Sequence, residues 1–155
     1  MKKTLFLLIA LVLTLGSSLK AQTQDICPDT KIPAGWVVIS SRSCAGCCNS
    51  GNGVVQMQTI KKIDNLPAGT TLEICPGPTP AGWVVVSTRA CSGCCGGSGV
   101  VQMPTIKRID NLPAGTTIEI CPGTIPKGWT VVSTRTCSGC CGATGDAQVP
   151  TIKKQ

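Results

Sequence analysis

The chain has 155 residues with 12 Cys, three Trp, one Phe, no Tyr and no His, and its 14 Lys+Arg exceed seven Asp+Glu for a net charge of +7. The lack of His excludes Ser-His and Cys-His catalytic pairs. The basic residues are scattered, without the dense stripe and stacking aromatics of a nucleic-acid binder.

Residues 1–21 read as a signal peptide. Lys2 and Lys3 give a positive start, residues 5–15 form an apolar core, and Leu19-Lys20-Ala21 precedes a cleavage point before Gln22. The core is shorter than the roughly 20 apolar residues that a spanning helix needs. Gln24-Asp25-Ile26 before Cys27 is polar where a lipoprotein signal is small and apolar, so no lipid anchor is expected. Without Lys2, Lys3 and Lys20, 11 basic residues face seven acidic ones, a net charge of +4. The expected location is secreted, periplasmic or cell-surface in a bacterium, with no membrane span left after signal removal.

All 12 cysteines follow the leader. Cysteine at this density in an exported chain reads as a disulfide framework. Residues 33–48 (PAGWVVISSRSCAGCC) recur at 80–95 (PAGWVVVSTRACSGCC) and 126–141 (PKGWTVVSTRTCSGCC). Such a period signals an array of supersecondary units. The units are placed at residues 22–74, 75–120 and 121–155, behind the signal peptide at 1–21.

Within a unit the local signals are all β. Residues 82–88 (GWVVVST) form a strand with little room for a solvent face. Gly96-Gly97-Ser98-Gly99 is a turn, and residues 100–103 are a second short strand that Pro104 interrupts. Residues 105–110 and 116–121 flank Asn111-Leu112-Pro113-Ala114-Gly115, which reads as a hairpin. Ile106 and Ile109 break the strict alternation and suggest a bulge or bend there. On this reading the chain begins and ends in mid-hairpin, so its two ends could pair and close a three-fold, β-trefoil-like ring. The third copy speaks for a linear or stacked array instead. It has Asp146 where the others have Val54 and Val100, Thr130 for Val37 and Val84, and Lys127 for Ala34 and Ala81. A last unit without a neighbour should be more polar. The fold class is therefore all-β: three tandem disulfide-rich units of about 46 residues in a stacked or linear array, with the ring as the alternative.

The cysteines fall four to a unit: Cys27, Cys44, Cys47 and Cys48; Cys75, Cys91, Cys94 and Cys95; Cys121, Cys137, Cys140 and Cys141. Two disulfides per unit are expected. Pairing the adjacent cysteines is disfavoured by geometry, which leaves Cys75 with Cys94 or Cys95 and Cys91 with the other. The alternative is a four-thiolate metal site per unit, although the adjacent pair matches zinc spacing poorly. Cys91-Ser92-Gly93-Cys94 lacks the βαβ context of a thioredoxin-like motif.

Trp36, Trp83 and Trp129 are the only aromatics of the repeats. They suit core plugs over the local disulfides, or a displayed row that stacks on sugars or docks a partner. Arg42, Arg89 and Arg135 suit solvated strand ends, or pseudo-substrate residues of a protease inhibitor on disulfide-framed loops. No catalytic constellation and no cofactor motif is present, so no enzyme activity and no cofactor is expected.

The Leu-Pro-x-Gly-Thr-Thr turn (residues 66–71 and 112–117), the Cys-Pro that follows and Pro-x-Gly-Trp resemble repeats of uncharacterised exported proteins of Bacteroidetes-type bacteria. That resemblance spans nearly all of the chain after the leader and implies no activity. The expected role is binding, adhesion or structure at the cell envelope or outside the cell, with a protein or glycan ligand at a cell surface. Metal binding and protease inhibition are the alternatives.

Overall fold

The computed structural model describes residues 23–49 and 51–155; the expected signal peptide lies outside them. The described residues form nine strands in three separate three-stranded antiparallel sheets. β1 (Thr23–Ile26), β2 (Trp36–Ala45) and β3 (Val54–Lys62) make the first sheet, in the order β1-β3-β2. β4 (Thr71–Glu73), β5 (Trp83–Ser92) and β6 (Val100–Arg108) make the second, in the order β4-β6-β5. β7 (Thr117–Glu119), β8 (Trp129–Ser138) and β9 (Asp146–Lys154) make the third, in the order β7-β9-β8. No described helix is long and apolar enough to cross a membrane.

The expected hairpin between residues 105–110 and 116–121 does not form. β6 pairs with β4 and β5, while β7 crosses to the next sheet and pairs with β9. The Asn-Leu-Pro-Ala-Gly segment is a link between units rather than a hairpin turn. The alternative of a ring closed through mid-hairpin ends fails for the same reason, and the expected open array stands. Thr23–Ile26 pairs with β3 of its own unit, and the last strand pairs with β7 and β8.

Pro104 does not interrupt its strand; β6 runs through it, with Pro104 opposite Thr88. Pro104 accepts a hydrogen bond from Ile74 N–H (3.0 Å) but has no N–H to return. β4 therefore stops at Glu73, three residues long, and β7 stops likewise beside Pro150. In the first unit Gln58 stands at this place, and β1 gains a fourth ladder pair, Ile26 with Gln58.

The bulge lies on the Trp-led strand; between Ile106 and Ile109 the strand ends, at Arg108. Register shifts between Val38 and Ser40, Val85 and Ser87, and Val131 and Ser133 leave Ile39, Val86 and Val132 as extra residues. The first two bulges each aim a carbonyl out of the sheet. Val38 O accepts from Cys75 N–H (2.8 Å) and Val85 O from Cys121 N–H (2.8 Å), so the backbone of each sheet is bonded to the next.

Counted by sheet, residues 71–74 go with the second unit and 117–120 with the third, and the two described core clusters then form between units. Val37 and Ile63 of the first pack with Ile74, Trp83 and Ile106 of the second. Val84 and Ile109 of the second pack with Ile118, Ile120, Trp129 and Ile152 of the third. Trp83 and Val84 are neighbours on one strand, yet they belong to different clusters. That strand is sandwiched, which is why its sequence is apolar on both faces. The end faces differ accordingly. Trp36 is only half-buried, and Thr130 is exposed where Val37 and Val84 are 7% and 5% exposed. Thr130 Oγ1 instead accepts from Gln155 Nε2 (2.7 Å), and Gln155 stands where Ile63 and Ile109 stand in the other units. The molecule is a linear stack.

All twelve cysteines are bridged, as Cys27–Cys48, Cys75–Cys95, Cys121–Cys141, Cys44–Cys47, Cys91–Cys94 and Cys137–Cys140. The first cysteine of each unit thus takes the last, the pairing with Cys95 of the two that were open. The bridges of sequence separation 20 or 21 remove about 3.3 kcal/mol of unfolded-chain entropy each, the three-residue bridges about 1.6 kcal/mol. Cys48, Cys95 and Cys141 have φ of 60°, 55° and 56°, a left-handed conformation that turns the chain sharply at the tip.

Candidate functional site

The stacking of sheets creates a cleft at each junction. Between the first two units lies a cavity of about 410 Å³. Its floor is Trp36, Val37 and Val38; its rim is the loop Cys75-Pro76-Gly77-Pro78, with Pro33 and Pro80 at the ends. Between the second and third units the same parts, Trp83, Val84 and Val85 under Cys121-Pro122-Gly123-Thr124, enclose about 340 Å³. The loop stands off the strand because its cysteine N–H bonds to the bulge carbonyl of the preceding unit. Pro76 and Pro122 then carry the chain outward along the rim, and Gly77 and Gly123 after them add no side chain to fill the gap. The two clefts are one site built twice. They are apolar along the floor, offer backbone polar groups at the rim, and hold no titratable group.

A third cavity of about 210 Å³ at the first junction is lined by Asp64, Arg108 and Asp110. Arg108 is already engaged there. Its Nη1 donates to the carbonyls of Asp64 (2.7 Å) and Leu66, clamping the link between units.

Trp83 and Trp129 are 6% and 7% exposed and plug the inter-unit cores. They fill the space between sheets rather than cover the local disulfides, and they are not displayed as a row. Trp36 is the one indole with an open side. Arg42, Arg89 and Arg135 sit inside strands, not on disulfide-framed loops, which removes the geometric basis for the inhibitor reading. Each makes a cross-strand ion pair: Arg42 with Asp25 (2.9 Å), Arg89 with Glu73 (2.5 Å), Arg135 with Glu119 (2.6 Å). Hydrogen bonds from Arg42 and Thr59 hold Asp25 below the usual carboxylate range. The guanidiniums of Arg89 and Arg135 do the same for Glu73 and Glu119. A zinc site needs thiolates, and here all twelve sulfurs are covalently paired, so the four-thiolate reading has no ligands to draw on.

Of the candidate binding residues, Trp36 and Trp83 line the clefts; the Cys-Pro-Gly rim and the valines of the floor were not anticipated as part of a site. The signal for them was present: Cys-Pro-Gly at 75–77 and 121–123 precedes Pro-x-Gly-Trp in both copies. Missing was the knowledge that this loop covers the strand of the preceding unit. Comparison with known protein families, curated proteins and solved structures returns no match.

Proposed function

We propose that this disulfide-stabilised repeat protein is exported and acts by binding, without catalysis, to a protein or glycan at a cell surface. The observation that carries the reading is the junction cleft, which occurs twice with the same Trp-Val-Val floor and Cys-Pro-Gly rim. Two like sites on one rigid stack raise avidity without new contacts, whereas an active site has no need of repetition. An apolar floor with a few polar backbone groups at the rim is the usual make-up of a ligand site. The expected leader and the six bridges fit an oxidising space outside the cytoplasm. The resemblance to exported repeats supports the same location.

The test uses fluorescently labelled whole protein on cell surfaces that are untreated, protease-shaved or periodate-oxidised. Loss of binding after shaving identifies a protein ligand, and loss after oxidation a glycan. Gly77→Trp with Gly123→Trp should block both clefts. A Cβ at these positions meets only Cys75 O at 3.9 Å and Cys121 O at 4.0 Å, so the fold should tolerate the change. Binding should fall at least tenfold in this variant. No binding to any surface, or full binding by the variant, would refute the proposal.

A further inference from the structure

The six bridges are of two kinds. One bridge per unit has a sequence separation of 20 or 21 and ties the segment after β1, β4 or β7 to the hairpin tip. Cys75 and Cys121 of these bridges are buried at 8% exposure, and Cys95 Sγ lies 3.3 Å from Sδ of the buried Met103. The other bridge has a separation of three: Cys44–Cys47, Cys91–Cys94 and Cys137–Cys140. All six of its cysteines are partly exposed and none is buried.

The short bridges lie where the backbone already closes the tip. Gly46 N–H donates to Gly53 O (3.1 Å), Gly93 N–H to Gly99 O (3.2 Å) and Gly139 N–H to Gly145 O (3.1 Å). These bonds lie just beyond the last ladder pairs, Ala45 with Val54, Ser92 with Val100 and Ser138 with Asp146. Opening a short bridge removes no strand pairing and releases a loop of few residues. Opening a long bridge frees a first strand held by only three or four ladder pairs. Structural cost separates the two kinds in every unit; burial adds to it in the second and third, where one partner of the long bridge (Cys75, Cys121) is buried, but not in the first, where Cys27 and Cys48 are both partly exposed.

We propose that the three Cys-x-x-Cys bridges are thiol–disulfide exchange sites that accept electrons from a dithiol while the three long bridges stay closed. A donor thiolate attacks one sulfur of the short bridge. That S–S bond breaks, a mixed disulfide forms, and the displaced cysteine leaves as a thiolate and takes up a proton. The donor's second thiolate then attacks the mixed disulfide, and the second cysteine leaves and is protonated. Each tip gains two electrons and two protons, and the donor is oxidised to its disulfide. The reverse reaction passes the electrons to a disulfide on a partner. Exchange follows access to the sulfur and the stability of the leaving thiolate; a βαβ frame is not part of the requirement.

The test is graded reduction of the folded protein with dithiothreitol, alkylation with N-ethylmaleimide, intact mass and peptide mapping. The expected result is a plateau at six alkylated cysteines mapping to Cys44, Cys47, Cys91, Cys94, Cys137 and Cys140, with Trp emission unchanged. A variant with these six changed to Ser should stay folded and take up no label over the same range. Uptake of twelve labels in one step, a plateau mapping to the long bridges, or no uptake before unfolding would each overturn the proposal.

Discussion

Among the described residues Ile60, Ile106 and Ile152 are the three fully buried large side chains, one on the central strand of each sheet. Ile106→Ala should cost about 2–5 kcal/mol, read as a lower midpoint in chemical denaturation; a loss below 1 kcal/mol would mean that the site is not packed as described. The ion pairs set the acid limit. Asp25, Glu73 and Glu119 have folded pKa values below their unfolded ones. Their contribution is complete above the unfolded carboxylate range near pH 4 and is lost as pH falls through the folded values. With no His and every cysteine bridged, the melting temperature should be flat from about pH 5 to 8 and fall below about pH 4. A midpoint change near pH 6.5 would contradict this. The Arg residues were visible in the sequence as a repeated position, but their partners were not. Glu73 and Arg89 meet only because β6 lies between the strands that carry them.

Strand identity was largely legible, and strand pairing was not. Trp followed by three Val marked a buried strand, and the strand is buried on both faces. The link at residues 109–116 has the chemistry of a hairpin turn, yet its flanks pair with other strands. A turn-rich segment shows that the chain changes direction but not which neighbour it then meets. Pro104 was read as a break because a central strand disfavours proline. β6 tolerates it because the neighbour β4 ends there. The stacking faces give the sharpest contrast between units. Val84→Asp would bury an unpaired carboxylate at the second junction. It should lower stability by more than about 3 kcal/mol. The same change at the equivalent Thr130 meets solvent and should cost under about 1 kcal/mol. Equal effects in thermal melts would show that the two faces are alike and that the stack is misassigned.

At the scale of the molecule, each unit is too small to stand on burial alone and is completed in two ways: two disulfides inside it, and a core shared with its neighbour. The greater polarity of the third copy was the correct sequence clue to an open stack, since Thr130 and Gln155 occupy places that hold Val and Ile at the inner faces. The clefts were not legible, because they exist only between units. An open stack makes its three Trp unequal, whereas a closed ring makes them equivalent. Acrylamide quenching of the folded protein therefore tests the account most directly. One accessible Trp (Trp36) and two protected ones (Trp83 and Trp129) are predicted. Three Trp quenched alike, or all three protected alike, would contradict the stack.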